Sequence, residues 1–277
     1  MPDQSKYQDA MKNWMKLVKR CLLFATPALA TTMLTTSPSQ AATFASSETT
    51  YRLDNFSHNP LDIWTITDAV TDAVSVRGQV SADANANADF NTFLDPALSF
   101  ASNRAFSTAN GNGNEYLGFG QSFAQSLGFD FLIAAGETFT FDYSGLLNLV
   151  ASVDNQAIES ASADGLIEYR LLDNATGALV DFFQVARSIT GVGTQNAVPS
   201  PRIASAAFNP TTTSDSFRTT VNGRYSRTFN NATSLTLVAF NASQSTVQAP
   251  EPGSILALVF CSGTVAVALK RKEKTPA

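Results

Sequence analysis

Gly128-Phe129-Asp130-Phe131-Leu132-Ile133-Ala134-Ala135-Gly136-Glu137-Thr138-Phe139-Thr140-Phe141-Asp142-Tyr143 is the stretch on which the fold turns. Phe129, Phe131 and Ile133 alternate with their neighbours, and Phe139, Phe141 and Tyr143 resume that alternation after a four-residue turn. Period-two patterning places successive side chains on opposite faces of a strand, so each run offers one aromatic face to a core. Two such runs around a short turn predict an antiparallel hairpin.

The pattern continues outward. Leu147, Leu149, Ala151 and Val153 predict a third strand. Ile167, Tyr169 and Leu171 predict a fourth, turning at Asp173-Asn174-Ala175-Thr176-Gly177 into Val180 and Phe182. Arg218–Phe229 and Leu235–Phe240 read as a closing hairpin around Asn230-Asn231-Ala232-Thr233. Before the opening stretch, Thr50–Leu53, Trp64, Ile66, Val74, Val76 and Val80 also alternate. Residues 81–96, rich in Asn, Asp and Ala, read as a polar connection. Ala97–Phe106 fits a short helix or an ordered loop, Asn110–Asn114 a turn, and residues 188–216 a long surface loop. Many short strands without convincing helices predict a mainly β fold, an antiparallel β-sandwich or jelly-roll-like domain over residues 42–241, with 242–249 as a linker.

Composition narrows the chemistry. Between Ala42 and Ala249 stand nineteen acidic residues, nine arginines and no lysine; all seven lysines lie in the terminal segments. A body of net charge near −10 repels phosphate, which argues against nucleic acid as a partner. Cys21 and Cys261 both fall outside the body, leaving it no disulfide, thiol nucleophile or cysteine-based metal site. Eighteen phenylalanines, five tyrosines and Trp64 must hold it together by packing.

No catalytic centre stands out, and none of the residues is assigned to catalysis, a cofactor or a metal. His58 is the single histidine, set in a turn with no Gly-x-Ser-x-Gly elbow elsewhere, and reads as a loop residue. Asp83–Asp89 repeats oxygen ligands at every second position but lacks the glycine and glutamate of a calcium loop, so it reads as a solvated connector. Asp142, Asp154, Glu159, Asp164, Glu168 and Asp181 read as surface acids beside the strands. Trp64 and the tyrosines are weighed as a sugar-stacking platform against ordinary core.

The two ends read as addresses. Lys12, Lys16, Lys19 and Arg20 precede an apolar run, Cys21–Leu34, and the small-x-small site Ser39-Gln40-Ala41, which predicts a signal peptide over 1–41 with its helix removed after Ala41. At the other end stand Pro250-Glu251-Pro252, a charge-free segment to Leu269, and Lys270-Arg271-Lys272-Glu273-Lys274. Eight strongly apolar residues in that segment supply roughly −3 to −5 kcal/mol of insertion free energy. Residues 253–269 span about 25 Å as a helix, short of the ~30 Å hydrocarbon core, and so predict a short single transmembrane helix. The basic stop Lys270, Arg271 and Lys272 stays cytoplasmic and leaves the body outside.

The ordered set of triplet, short apolar helix and basic stop, 250–274 with a tail of 275–277, resembles the PEP-CTERM sorting signal of exported bacterial proteins. That resemblance implies recognition of Pro250, Glu251 and Pro252 by an intramembrane exosortase. Cleavage near the triplet and transfer from a transient inner-membrane anchor to the cell surface or extracellular matrix would follow. Partners then include the exosortase, the secretion machinery, the inner membrane and extracellular polysaccharide of a biofilm. The runs Phe129–Tyr143, Ile167–Phe183 and Tyr225–Phe240 look like ectodomains found with such tails, a likeness that brings no activity. The function expected is that of an adhesive or structural ectodomain and not an enzyme. The alternatives are a lectin-like carbohydrate-binding module or a polysaccharide-active enzyme.

Overall fold

In the computed structural model, residues 42–156, 158–191, 193–199, 207–212 and 215–249 are described. The signal peptide with Ser39 and Ala41, the sorting segment with Pro250, Glu251, Pro252, Lys270, Arg271 and Lys272, and the tail 275–277 lie outside them. Ten strands form one antiparallel sheet: β1 (Ala42–Asp54), β2 (Asp62–Asn91), β3 (Phe100–Ile133), β4 (Thr138–Val153), β5 (Ser160–Asp173), β6 (Leu179–Thr190), β7 (Gly193–Pro199), β8 (Ala207–Thr212), β9 (Ser216–Thr228) and β10 (Thr233–Ala249). Their order is β7-β6-β5-β10-β3-β1-β4-β9-β8, with β2 beside β3. Among the described residues the only helical piece is a 3₁₀ turn, Pro96–Leu98, capped by Asp95. No helix there is long and apolar enough to cross a membrane.

Two strands of unusual length make the architecture. β2 and β3, 30 and 34 residues, pair along their lengths as one ribbon. The ribbon doubles back near Gly78 and Gly113, which pair with each other at φ 154° and 102°, and Glu115 beside them also has positive φ, 59°. A side chain at Gly78 would sit 2.3 Å from the carbonyl oxygen of Asn112, so the corner admits only glycine. Beyond the corner the two halves of β3 take different neighbours. Residues 100–112 pair β1, which pairs β4; residues 116–133 pair β10, which pairs β5. The folded ribbon thus lays one half of the sheet over the other, with the core between.

Residue size tapers that core. Far from the ribbon, Phe139, Phe141, Tyr143, Tyr169, Phe183 and Tyr225 fill it, joined by Phe131 from the end of β3, all buried. Their rings meet at centroid distances of 5.0 Å for Phe131–Phe139 and Phe141–Tyr225 and 5.2 Å for Phe141–Tyr169 and Tyr143–Phe183. Each such pair adds about 0.5–1.5 kcal/mol beyond its area. Near the ribbon the inward side chains are Ala101, Ala105, Ala109, Gly118, Gly120, Ser122, Ala124 and Ser126. There the halves come close enough for Ser126 Oγ to donate to the Asp89 carbonyl (3.0 Å) and for Ser107 Oγ to meet those of Ser243 (2.8 Å) and Ser245 (2.9 Å). Direct side-chain to backbone reach means a separation well inside the usual ~10 Å of stacked sheets.

Several expectations change. Phe129–Ile133 and Phe139–Tyr143 are strands with buried aromatic faces, but β3 and β4 do not pair: β1 lies between them. Likewise β9 pairs β4 and β8 while β10 pairs β3 and β5, so Arg218–Phe240 is no hairpin. The turn at Asp173–Gly177 does join a paired hairpin, β5 and β6. Residues 81–91 of the expected connection belong to β2, and Phe100–Phe106 and Asn110–Asn114 belong to β3. Residues 188–216 contain β7 and β8, and residues 242–249, expected to be a linker, are the second half of β10.

Candidate functional site

The turn Asn55–Pro60 holds the single histidine and, with it, a row of polar groups. Ser57 Oγ lies 2.8 Å from His58 Nδ1, and His58 Nε2 lies 3.1 Å from Glu137 Oε2. Hydroxyl, imidazole and carboxylate in that order have the connectivity of an acyl-transfer relay. Their other bonds point to holding a turn in place. Thr140 N donates to Ser57 Oγ at 2.9 Å, and Ser57 N donates to the Thr140 carbonyl at 2.9 Å. Ala134 N donates to Glu137 Oε2 at 3.0 Å. That amide, and then His58, hold the Glu137 carboxyl below its usual range. The row ties the turn after β1 to both ends of the β3–β4 turn.

A shallow hollow of ≈ 380 Å³ opens elsewhere, on the outer face of β2, β3, β1 and β4, and none of those three residues lines it. Its lining includes Thr50, Arg52, Asn87, Ser102, Arg104 and Ser144. The register explains the set: Asn87 pairs Arg104, which pairs Thr50, while Ser102 pairs Arg52, which pairs Ser144. Both arginines are engaged. Arg52 Nε donates to Asp54 at 2.7 Å and its guanidinium stacks over Phe100 at 4.4 Å. Arg104 donates to Glu48 Oε1 at 3.1 and 2.8 Å. The hollow therefore mixes hydroxyls, amides and fixed guanidiniums with a surface that is mostly apolar.

The acids weighed as catalytic are dispersed. Glu159 and Glu168 are buried, against the expectation that all six face solvent. Glu159 receives the Tyr116 hydroxyl (3.2 Å) and the Asn155 amide (3.1 Å). Burial pushes the Glu168 carboxyl up, opposed by Arg170, and Gln184 Nε2 donates to it at 3.0 Å. Burial also raises Asp164, opposed by Ser188. Asp142 accepts from Asn55 at 2.7 Å. Asp83, Asn85, Asn87 and Asp89 line one face of an extended strand, about 6.6 Å apart along it, and do not converge on an ion. Among the described residues no three His, Cys, Asp or Glu side chains gather as a metal site.

Of the aromatics weighed as a sugar platform, Tyr51, Tyr116, Tyr143, Tyr169 and Tyr225 are core. Trp64 alone of that set stands out, 45% exposed on β2. Its surroundings were not legible beforehand. From Asp62 to Arg77 nearly every residue of β2 is exposed on both faces, and β2 pairs nothing but β3 among the described residues. These features define an antiparallel β body with a shallow outer hollow and one overhanging strand. No protein-family model, curated protein or solved structure matches the chain.

Proposed function

We propose that the chain is an exported protein, released from a signal peptide after Ala41 and sorted through Pro250–Lys274 by an exosortase to the cell surface or extracellular matrix. The observation that carries this reading is the ordered tail of Pro250-Glu251-Pro252, the uncharged Ile255–Leu269 and the basic Lys270–Lys274. The matching address at the other end of the chain supports it. β10 ends at Ala249, the residue before Pro250 in the sequence. The body, a sandwich-like or jelly-roll-like module, acts as an adhesive or structural unit in extracellular polysaccharide and carries no catalysis; nucleic acid is not a partner.

Mass spectrometry of the mature protein from cells containing an exosortase tests this. The expected product begins at Ala42 and lacks residues 255–277; persistence of the C-terminus through Ala277 refutes sorting. The exposed Trp64, with Asp62 and Ile66 on its own face of β2, favours a second reading, a lectin-like module. A glycan array separates the two, because specific binding that free sugar competes away and that Trp64→Ala removes belongs to the lectin.

A further inference from the structure

The residues Asp62–Val76 form a strand with one edge bonded to β3 and the other unpaired among the described residues, and solvent reaches both of its faces. An open edge is a row of unpaired N–H and C=O groups ready to accept another strand, and proteins usually guard it with lysine, proline or a bulge. The outermost strands β7 and β8 carry Pro199 and Pro210. Asp62–Val76 has no lysine, arginine or proline, keeps one continuous register with β3 through Ser75, and displays Ile63 (39% exposed), Trp64 (45%), Val70 (49%), Val74 (41%) and Val76 (72%).

We infer that this strand pairs antiparallel with the same strand of a second copy, about a two-fold axis at Ala69. The occupant follows from the side chains. A two-fold perpendicular to the sheet keeps each face on its own side, so even residues meet even ones and odd meet odd. Centring on Asp68 sets that acid against its own copy, and centring on Val70 sets Asp68 against Asp72; like charges directly opposed are destabilising. Centring on Ala69 sets Trp64 opposite Val74 of the second copy, Ile66 opposite Asp72, Asp68 opposite Val70 and Thr67 opposite Thr71. No acid then opposes an acid, and all fifteen residues from Asp62 to Val76 find partners.

The pairing does not rest on the sorting tail. A single strand pair buries less than the roughly 1,200–2,000 Å² of a stable complex, so it is weak in dilute solution and strengthened where copies are crowded side by side.

The test uses the full chain in mild detergent with Cys21→Ser and Cys261→Ser, adding either Ala69→Cys or Val76→Cys. Opposed Cα atoms in antiparallel strands lie about 4.5–5.5 Å apart, inside the range a disulfide bridges. Residue 76 lies seven strand positions from the axis, so its two copies are roughly 45 Å apart. Under mild oxidation A69C is expected to give a disulfide-linked dimer and V76C, at the more exposed site, almost none. Adding Val70→Asp to A69C sets an acid directly against Asp68 of each opposing copy and abolishes the dimer while far-UV circular dichroism stays unchanged. Equal or greater linkage in V76C, linkage of A69C only to other proteins, absence of the A69C dimer, or its survival with Val70→Asp would each overturn the inference.

Discussion

Tyr169 is fully buried, and its hydroxyl has no hydrogen-bond partner among the described residues. A buried polar group left unpaired costs about 1–3 kcal/mol, which Tyr169→Phe removes while keeping the ring against Phe141 (5.2 Å) and Phe183 (5.9 Å). A gain of that size raises the thermal midpoint of a body this long by about 2–10 °C. Tyr116→Phe is the comparison with the opposite sign. The Tyr116 hydroxyl bonds the Thr43 hydroxyl and donates to the buried Glu159 carboxylate, so its loss leaves that acid with the Asn155 amide alone and costs about 1.5–3 kcal/mol. Urea unfolding of the two full-length variants beside the parent, followed by far-UV circular dichroism, gives both signs directly. If Tyr169→Phe destabilises as Tyr116→Phe does, the hydroxyl is already satisfied by trapped water and the reasoning fails.

The buried phenols also set the response to alkali. Burial pushes Tyr51 and Tyr169 well above their ordinary pKa and Tyr116 up to about 12. The unfolded chain loses these protons near pH 10 and the folded one later, so stability is full below pH 10 and falls as pH rises beyond it. A denaturant midpoint that holds constant from about pH 9 to 12 would contradict that sign. Close to the ribbon, Gly120→Ala would put a methyl group 2.8 Å from the Asp83 carbonyl oxygen and 3.2 Å from that of Thr108. Backbone cannot swing aside, so a loss of about 1–3 kcal/mol is expected, and an unchanged urea midpoint would refute the close approach.

Alternation of large apolar residues marked β4, β5 and the end of β3 correctly because those strands face the thick end of the core, where only Phe, Tyr and Leu fill the gap. It failed where the gap is thin. Ala82, Ala84, Ala86 and Ala88 alternate with Asp and Asn as faithfully as Phe alternates with Thr elsewhere. Alanine, asparagine and aspartate are weak strand formers, so the segment resembled a loop. These alanines stand half-buried on the inward side of the strand. The glycines and asparagines at 110–114 did signal an irregular backbone, yet the feature is a corner in a continuing strand. Pairing was the least legible property, because period two tells which face is buried and says nothing about which neighbour supplies the hydrogen bonds. That is why β1 between β3 and β4 could not be foreseen. The relay at His58 was hidden for a related reason: Glu137 lies 79 positions away and meets it only because β1 brings the two turns together.

Ala42 pairs with Asn112 and Ala249 with Tyr116, so both ends of the body stand at the corner of the folded ribbon. β10, which ends at Ala249, is hydrogen-bonded on both sides, to β3 and to β5, along nearly all of its 17 residues. Tension entering at Ala249 along the strand therefore loads two full ladders at once, in shear. Nothing can peel one bond at a time, and the strand that would bear a tether is the one most deeply embedded in the sheet.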